Sequence, residues 1–324
     1  MDEATGSEGS ESLLSGIAIE QAMTSECVSK IKSPQLLLVA TAFAKNISDI
    51  SHLLNLPETL LAYGKMQLQA FTYFIYFTDA AKIQDWKNKT QQELVAELTN
   101  EFARLFEQHQ DKILKNVPDL ARKDLVDLIV ARQEIRDSLR SFLAAATTSA
   151  WSAFETLASD MWFIVLNTQP KFAHRAVNNA GRLKDEKGGG LLDRRFSVDD
   201  IARYGFDLRE HMGDLLKEKF KFSILEGIQN AYLAAFGNFK DIETVFIGKD
   251  LCELEATRHL ILHRSGVVDK KFIRKINTSL NLGDNVPLNG AIVSRFVNAS
   301  IEAGVRLITI MDELLLIKHV NKVE

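Results

Sequence analysis

Cysteine and proline are scarce in this sequence, which has two Cys and five Pro among its 324 residues. Two thiols, Cys27 and Cys252, are too few for a disulfide framework or for a zinc site built from cysteine. Because prolines are few, long stretches are free to form uninterrupted helices. The low cysteine content is typical of a reducing compartment, so we expect the protein in the cytoplasm.

Targeting and membrane-spanning patterns are also missing. Residues 1–12, MDEATGSEGSES, are acidic and small, without the basic and apolar regions of a secretory signal, and they predict a disordered tail. The most apolar runs, such as LAYGKMQLQAFTYFIYFT, are interrupted by Lys and Gln and fall short of the roughly 18 apolar residues of a membrane helix. We therefore expect no contact with a membrane.

Charge is nearly balanced overall but uneven along the chain. The first 170 residues hold 15 Lys and Arg against 22 Asp and Glu, and the remainder holds 24 against 21. Within 251–275, six basic residues stand against three acidic ones, and the basic ones are Arg258, Arg264, Lys270, Lys271, Arg274 and Lys275. A locally positive stretch in an acidic protein can attract a polyanion such as RNA. The alternative is that the run is only a solvated helix face.

Helical periodicity dominates the N-terminal part. Ser33 and Pro34 predict the cap and the first residue of a helix over 33–55. The same pattern predicts a new helix after Leu56, and apolar residues at spacings of three and four predict another at 89–114. We take 13–115 as an N-terminal helical region of unknown role, through which a protein partner could bind.

The C-terminal part continues the helical pattern. It runs for nearly 50 residues from Pro118 to Pro170 and predicts one helix, or two with a break at 147–149. A glycine triplet at 188–190 predicts a flexible loop. Further helices are predicted after a capping box at Ser197 and Asp200, at 223–237 with Gly237 as its end, from about Lys249, and over 289–320 with Gly304 inside. NVPLNG predicts at most a short pairing, so we expect an all-α helical bundle with a second domain at 118–320.

The stretch ATRHLILHRSGVVDKKF, residues 256–272, combines an apolar helical run with Arg258, His259 and His263. An imidazole moves protons near neutral pH, and a guanidinium stabilises charge that develops on a phosphate. The two groups together suit metal-free RNA cleavage by the ribose 2′-OH. On an ideal helix, however, Arg258 and His263 point about 140° apart, so they converge only if the helix end frays or a two-fold partner contributes.

This stretch resembles the signature helix end of the HEPN superfamily, whose pattern is Arg, a polar residue, apolar residues, His and a glycine-containing turn. Arg258, His259, His263 and Gly266 occupy those positions. The polar position most often holds Asn or Asp in that family, and the residue after the His is often Asn, whereas this chain has His259 and Arg264. The resemblance covers about 118–320 and does not extend to residues 1–115.

The resemblance implies a metal-independent endoribonuclease that acts as a toxin or phage-defence effector and needs no cofactor. In such an enzyme His263 would act as the acid and base, Arg258 would stabilise the phosphate, and His259 would assist them. The resemblance also implies a homodimer in which the two motifs share one cleft. We expect RNA phosphates to be bound by basic side chains at the helix end and after it, namely Arg264, Lys270, Lys271, Arg274 and Lys275. Glu155 and Glu255 are expected to support the site. Glu155 is expected to face Arg258 or the motif helix, or else to be exposed.

Four alternatives remain at this point. Glu255, His259 and His263 recur every four residues, and two imidazoles at that spacing can share a metal, which would fit a metal-dependent hydrolase. A surface ion pair between Glu255 and His259 is the simpler interpretation of the same spacing. His263 is also placed where a helix dipole favours a structural cation. The whole domain could be a non-catalytic interaction module that binds RNA, nucleotide or protein.

Overall fold

A computed structural model describes residues 13–14, 17–78, 85–180, 197–217 and 219–320. It is a helical bundle, which confirms the predicted fold class. The helices are α1 (Ala22–Lys30), α2 (Pro34–Phe77), α3 (Gln91–Leu114), α4 (Val117–Ala131), α5 (Gln133–Thr168), α6 (Pro170–Ala180), α7 (Val198–Ala202), α8 (Met212–Lys217), α9 (Leu225–Phe236), α10 (Lys249–Arg264), α11 (Lys270–Ile276) and α12 (Gly290–Val320). The predicted tail at 1–12 and the glycine loop at 188–190 lie outside the described residues. None of the helices in the described ranges has the length and apolar character needed to cross a bilayer.

The chain divides into two compact units. Among the described residues, unit 1 comprises 54–138, and unit 2 comprises 13–53 and 139–320. Both internal boundaries fall inside a helix, one within α2 and the other within α5. This division differs from the predicted ranges 13–115 and 118–320, which grouped the helices by their order along the chain.

α2 is longer than predicted. It begins at Pro34 as expected, but it continues through Pro57 where a second helix was predicted to start. A proline inside a helix lacks the N–H that would bond to the carbonyl four residues earlier, here that of Leu53. The boundary between the units lies directly after Leu53. α2 therefore continues through the proline, which lies just after the point where the helix passes from unit 2 to unit 1.

The predicted break at 147–149 is wrong. The long pattern is two helices, but it divides at Arg132, whose extended backbone ends α4. Arg136 donates from Nη1 to the carbonyls of Ile129 and Val130, both at 2.7 Å, and so satisfies the last turn of α4. At the predicted position Thr147 Oγ1 bonds back to the Leu143 carbonyl at 2.8 Å, which lets the threonine continue inside the helix.

The core of unit 2 is built on α5. Trp151 and Trp162 are fully buried, and Trp162 Nε1 donates to the Ala231 carbonyl at 3.0 Å. Both Trp side chains thus belong to the core of this unit. α12 crosses close by at Gly304, where a Cβ would lie 2.5 Å from the Phe43 ring and 3.0 Å from Leu157. Glycine is therefore needed there for three helices to meet.

Candidate active site at the end of the motif helix

The motif helix α10 ends where the sequence predicts. Ser265 is left-handed at φ +52°, and Gly266 follows at φ +81°. The amide groups of both residues donate to the carbonyl of Leu260, Gly266 at 3.0 Å. Glycine adopts this backbone without strain, so Gly266 confirms the predicted turn.

The chain after the turn is held in place. Val268 N donates to the Asp284 carbonyl at 2.8 Å, and Val286 N donates to the Gly266 carbonyl at 2.8 Å. A single antiparallel bridge joins Val267 to Asn285, which confirms the short pairing expected in NVPLNG. Beneath it, a small core packs α10 against α11; its buried members are Ala256, Leu260, Val268 and Phe272. The basic helix α11 therefore has a fixed position beside the motif helix.

Arg258 turns towards α5. Its Nη2 lies 3.9 Å from Glu155 Oε2, and that same oxygen accepts a shorter hydrogen bond, 2.7 Å, from Trp151 Nε1. The expected pairing of Glu155 with Arg258 is confirmed, although the ion pair is a loose one. Arg258 Nε is buried without a hydrogen-bond partner. The guanidinium therefore keeps donor capacity that the fold does not use.

His259 and His263 lie together near the end of α10. Their ring centroids are 4.7 Å apart with planes inclined by 53°. His263 is exposed and His259 is half-buried. Burial lowers the pKa of His259, and the neighbouring His263 and Lys271 lower it further, while Asp269 and Glu255 act in the opposite direction. A neutral imidazole on His259 can accept a hydrogen bond or a proton.

Glu255 does not form the expected surface pair with His259. It is buried, and its Oε2 pairs directly with Nζ of Lys275 from α11. A carboxylate in an apolar site needs such a partner. Within the described ranges, no three His, Cys, Asp or Glu side chains are grouped to hold a metal ion. The stripe of Glu255, His259 and His263 thus does not form a metal-binding set, and the metal-dependent alternative is not supported by this geometry.

The predicted phosphate-binding cations differ in their availability. Lys275 forms an ion pair with Glu255, and Arg264 Nε lies 4.0 Å from Asp269 Oδ2. Lys270, Lys271 and Arg274 are exposed, and none of them forms an ion pair with another described residue. Of the five predicted phosphate-binding residues, these three have a charge that no described carboxylate pairs with.

The structure separates the two residues of the motif. Arg258 faces Glu155, whereas His263 is exposed at the last turn, and no hydrogen bond joins them in the described part of the chain. Within one chain, the residues brought together are His259, His263 and the cationic start of α11. Arg258 belongs to a second cluster with Glu155 and Trp151.

Two features of the site were not predicted. Asp269 caps α11 by accepting from the Phe272 amide at 2.8 Å, a role that the pattern Asp-x-x-Phe before an apolar face could have indicated. Arg295 of α12 holds the start of α10, donating to Asp250 at 2.5 Å and to Glu253 at 2.9 and 3.0 Å. No spacing in the sequence indicates that contact, because α12 lies about 40 residues further on.

Comparison with protein-family models, with curated proteins and with solved structures found no match. The site therefore has to be interpreted from its own geometry, and membership of the HEPN superfamily stays a prediction.

Proposed function

We propose that the protein is a metal-independent endoribonuclease of HEPN type that acts in the cytoplasm as a toxin or phage-defence effector. The observation that carries the proposal is the pair of adjacent imidazoles, His259 and His263, at the exposed end of α10, beside unpaired cations on α11. Two adjacent imidazoles can supply a base and an acid to one phosphodiester. The neighbouring ammonium groups attract its charge.

The reaction uses only the RNA and these side chains. One imidazole takes the proton of a ribose 2′-OH, and the 2′-oxygen forms a bond to the adjacent phosphorus. The bond from phosphorus to the 5′-oxygen breaks, and that oxygen receives a proton from the second imidazole. The products are a 2′,3′-cyclic phosphate and a free 5′-OH, and no metal or water is consumed.

His259 is suited to the role of base because its lowered pKa keeps it neutral near pH 7. His263, the more exposed of the two, can approach the leaving oxygen. Arg258 would stabilise the phosphorane through the partly exposed end of its guanidinium, whose ion pair with Glu155 is loose. Because Arg258 and His263 point to different sides of α10, we include a homodimer in the proposal, in which an Arg from one chain meets a His from the other.

A second function is favoured by a specific observation. Arg258 contacts Glu155 and is partly buried, as expected of a residue that only joins α10 to α5. In that case the domain binds RNA through α11 without cleaving it. The two functions share the same surface and differ in whether the imidazoles act.

The test is incubation of the purified protein with labelled single-stranded RNA, with and without EDTA. We expect cleavage in both, products ending in a cyclic phosphate, and loss of cleavage in His263→Ala. The matched control is His52→Ala, since His52 is an exposed histidine on α2. Binding without cleavage would support the non-catalytic module, and cleavage abolished by EDTA would contradict the proposed mechanism.

A further inference from the structure

The exposed side of α2 in unit 1 has no charged residue. Between residues 55 and 76 the exposed positions come in adjacent pairs that recur every four residues. They are Asn55, Leu56, Thr59, Leu60, Tyr63, Gly64, Gln67, Leu68, Phe71, Thr72, Ile75 and Tyr76. Seven of these are large apolar or aromatic side chains, with exposures from 43% for Leu56 to 80% for Tyr76. We call these twelve positions the charge-free face.

The opposite side of the same segment is already occupied. Its two charged residues, Lys65 and Glu58, pair with Asp124 at 2.5 Å and with Arg122 at 2.9 Å, both on α4. Phe74 packs against Phe102 of α3, with ring centroids 6.0 Å apart and planes inclined by 50°. The helices of unit 1 thus cover one side of α2 and leave the charge-free face open.

The composition of this face restricts what can cover it. Nucleic acid requires cations, and the face has none. A helix that lies on a membrane surface carries Lys or Arg on its polar side, and the charged residues here are turned inward to α4. A surface with seven exposed large apolar or aromatic side chains and no charge is rare on a protein that has no partner for it. An apolar protein surface is the remaining occupant.

We propose that the occupant is a second copy of this chain, so that the charge-free face is a homodimer interface. A face without charge is compatible with itself, because no like charges meet across a two-fold axis. The exposed positions recur every four residues and so form ridges along the helix. Two helices whose ridges of this kind interlock cross at an angle of about 50° between their axes, which is the commonest class of helix packing. This contact is the one that would hold together the homodimer included in the proposed function, and the inference does not rest on the ribonuclease activity itself.

Gly64 supplies the point of closest approach. It lies near the middle of the face, and a Cβ added to it would meet no atom within 4 Å. With an antiparallel crossing at Gly64, Leu60 of one copy lies opposite Leu68 of the other. The glycine lets the two backbones come close, as small residues do where helices cross.

The available area is sufficient for a stable contact. Seven half-exposed to mostly exposed side chains of this size contribute on the order of 100 Å² each, or about 1,400 Å² for two copies. Specific interfaces bury about 1,200 to 2,000 Å² in total. This total is the upper limit, reached when all seven side chains are covered, so the charge-free face can supply most of a specific interface.

The test compares three variants by sedimentation velocity. Leu68→Glu places a charge in the face, and Gly64→Leu adds a side chain at the crossing that a single chain can accommodate. The control is Leu38→Glu, which changes an exposed leucine of the same helix outside the face, 79% exposed. Circular dichroism checks that each variant keeps its helices.

We expect the wild type and Leu38→Glu to sediment at about twice the 36.4 kDa chain mass at about 50 μM, since an interface of this size holds at micromolar concentrations. Folded Leu68→Glu and Gly64→Leu should sediment as monomers, because each substitution acts twice across a two-fold axis and together the two raise the dissociation constant on the order of 10³-fold. A monomeric wild type overturns the inference. Flotation of that monomer with neutral lipid vesicles would assign the face to a membrane instead. So does a dimer that persists in either face variant, or one that Leu38→Glu also dissociates. RNA cleavage is not a readout, so the proposed function can fail without affecting this result.

Discussion

Arg258 of the motif helix contacts Glu155 of α5 through a single long approach, Nη2 to Oε2 at 3.9 Å, while Trp151 Nε1 holds the same oxygen at 2.7 Å. The indole, not the guanidinium, is the principal partner of the carboxylate. Glu155 therefore stays satisfied if Arg258 moves or is removed. This relationship separates a structural role of Arg258 from a catalytic one.

Replacing Arg258 by Ala should change stability little and activity strongly. A partly exposed, loose ion pair contributes about 0 to 1 kcal/mol, so the free energy of unfolding should fall by no more than that. Loss of a group that stabilises the phosphorane should lower RNA cleavage by about 10²-fold or more. Urea unfolding and single-turnover cleavage measure the two effects. His52→Ala, at an exposed histidine of α2 with no role in the site, is the control and should cleave as the wild type does. A large loss of stability in Arg258→Ala would assign that residue to the fold.

The helices were predictable from the sequence because caps and periodicity act locally. The capping box at Ser197 forms as predicted, with Asp200 N donating to Ser197 Oγ at 3.0 Å, and α9 ends at Gly237. The failures at Pro57 and at 147–149 have a common cause. Backbone groups that a proline or a threonine disturbs can be satisfied by nearby atoms, so a helix can continue through either residue.

The candidate site was predictable only in part. The turn at Gly266 and the pairing of Arg258 with Glu155 followed from the motif and from the need of a carboxylate for a partner. The pairing of Glu255 with Lys275 did not, because the spacing along one helix favoured His259 as the partner. Which cation reaches a carboxylate depends on the packing of α11 against α10, and helical periodicity carries no information on that packing.

The protonation of His259 should respond to the charge of Lys271. The pKa of His259 is lowered chiefly by burial, and next by His263 and Lys271. Lys271→Gln removes one positive charge, so the pKa of His259 should rise towards the ordinary value of 6.5. NMR titration of the imidazole protons measures the change. An unchanged midpoint would show that the ammonium of Lys271 does not act on the imidazole.

The same lowered pKa predicts how stability depends on pH. The unfolded chain takes up a proton on His259 at a higher pH than the folded chain does, so acidification favours unfolding. This contribution is fully present above about pH 6.5 and is lost as the pH falls through the lower folded value. The melting temperature of His259→Gln should therefore decline less between pH 7 and pH 5 than that of the wild type. Parallel curves for the two proteins would contradict the prediction.

The cations of α11 should divide into two functional groups. Lys270 and Lys271 have no described ion pair, and reversing their charge should weaken RNA binding for all sequences. The slope of the logarithm of the binding constant against the logarithm of the salt concentration should become shallower by about one for each phosphate that is no longer neutralised. Lys275→Met instead leaves Glu255 buried without its partner and should cost about 1 to 3 kcal/mol of unfolding free energy. The double change Glu255→Gln with Lys275→Met should recover part of that loss. Binding titrations over a salt series and urea unfolding separate the groups, and an RNA effect confined to Lys275 would reverse the assignment.

Gly304 should be intolerant of even one added methyl group. Its Cβ position lies 2.5 Å from the Phe43 ring, so Gly304→Ala should destabilise unit 2 by about 1 to 3 kcal/mol despite the better helix propensity of alanine. Phe43→Leu should reduce that cost when the two changes are combined. Thermal unfolding of the double-mutant cycle tests the contact. Strict additivity of the two changes would show that the ring and the new methyl do not meet.

Two inactive variants should restore activity to each other if the catalytic site is shared between chains. Within one chain Arg258 faces Glu155 and His263 is exposed at the helix end, so the proposed site joins an Arg from one copy to a His from the other. A heterodimer of Arg258→Ala with His263→Ala keeps one complete combination, the intact Arg of one subunit with the intact His of the other. After denaturation and joint refolding of equal amounts, half of the dimers are mixed and each holds one of two sites, so about a quarter of the wild-type rate should return. Each variant refolded alone is the control and should stay inactive. A mixture no more active than its components, from variants shown to form mixed dimers, would assign the whole site to a single chain and remove the shared cleft from the proposed mechanism.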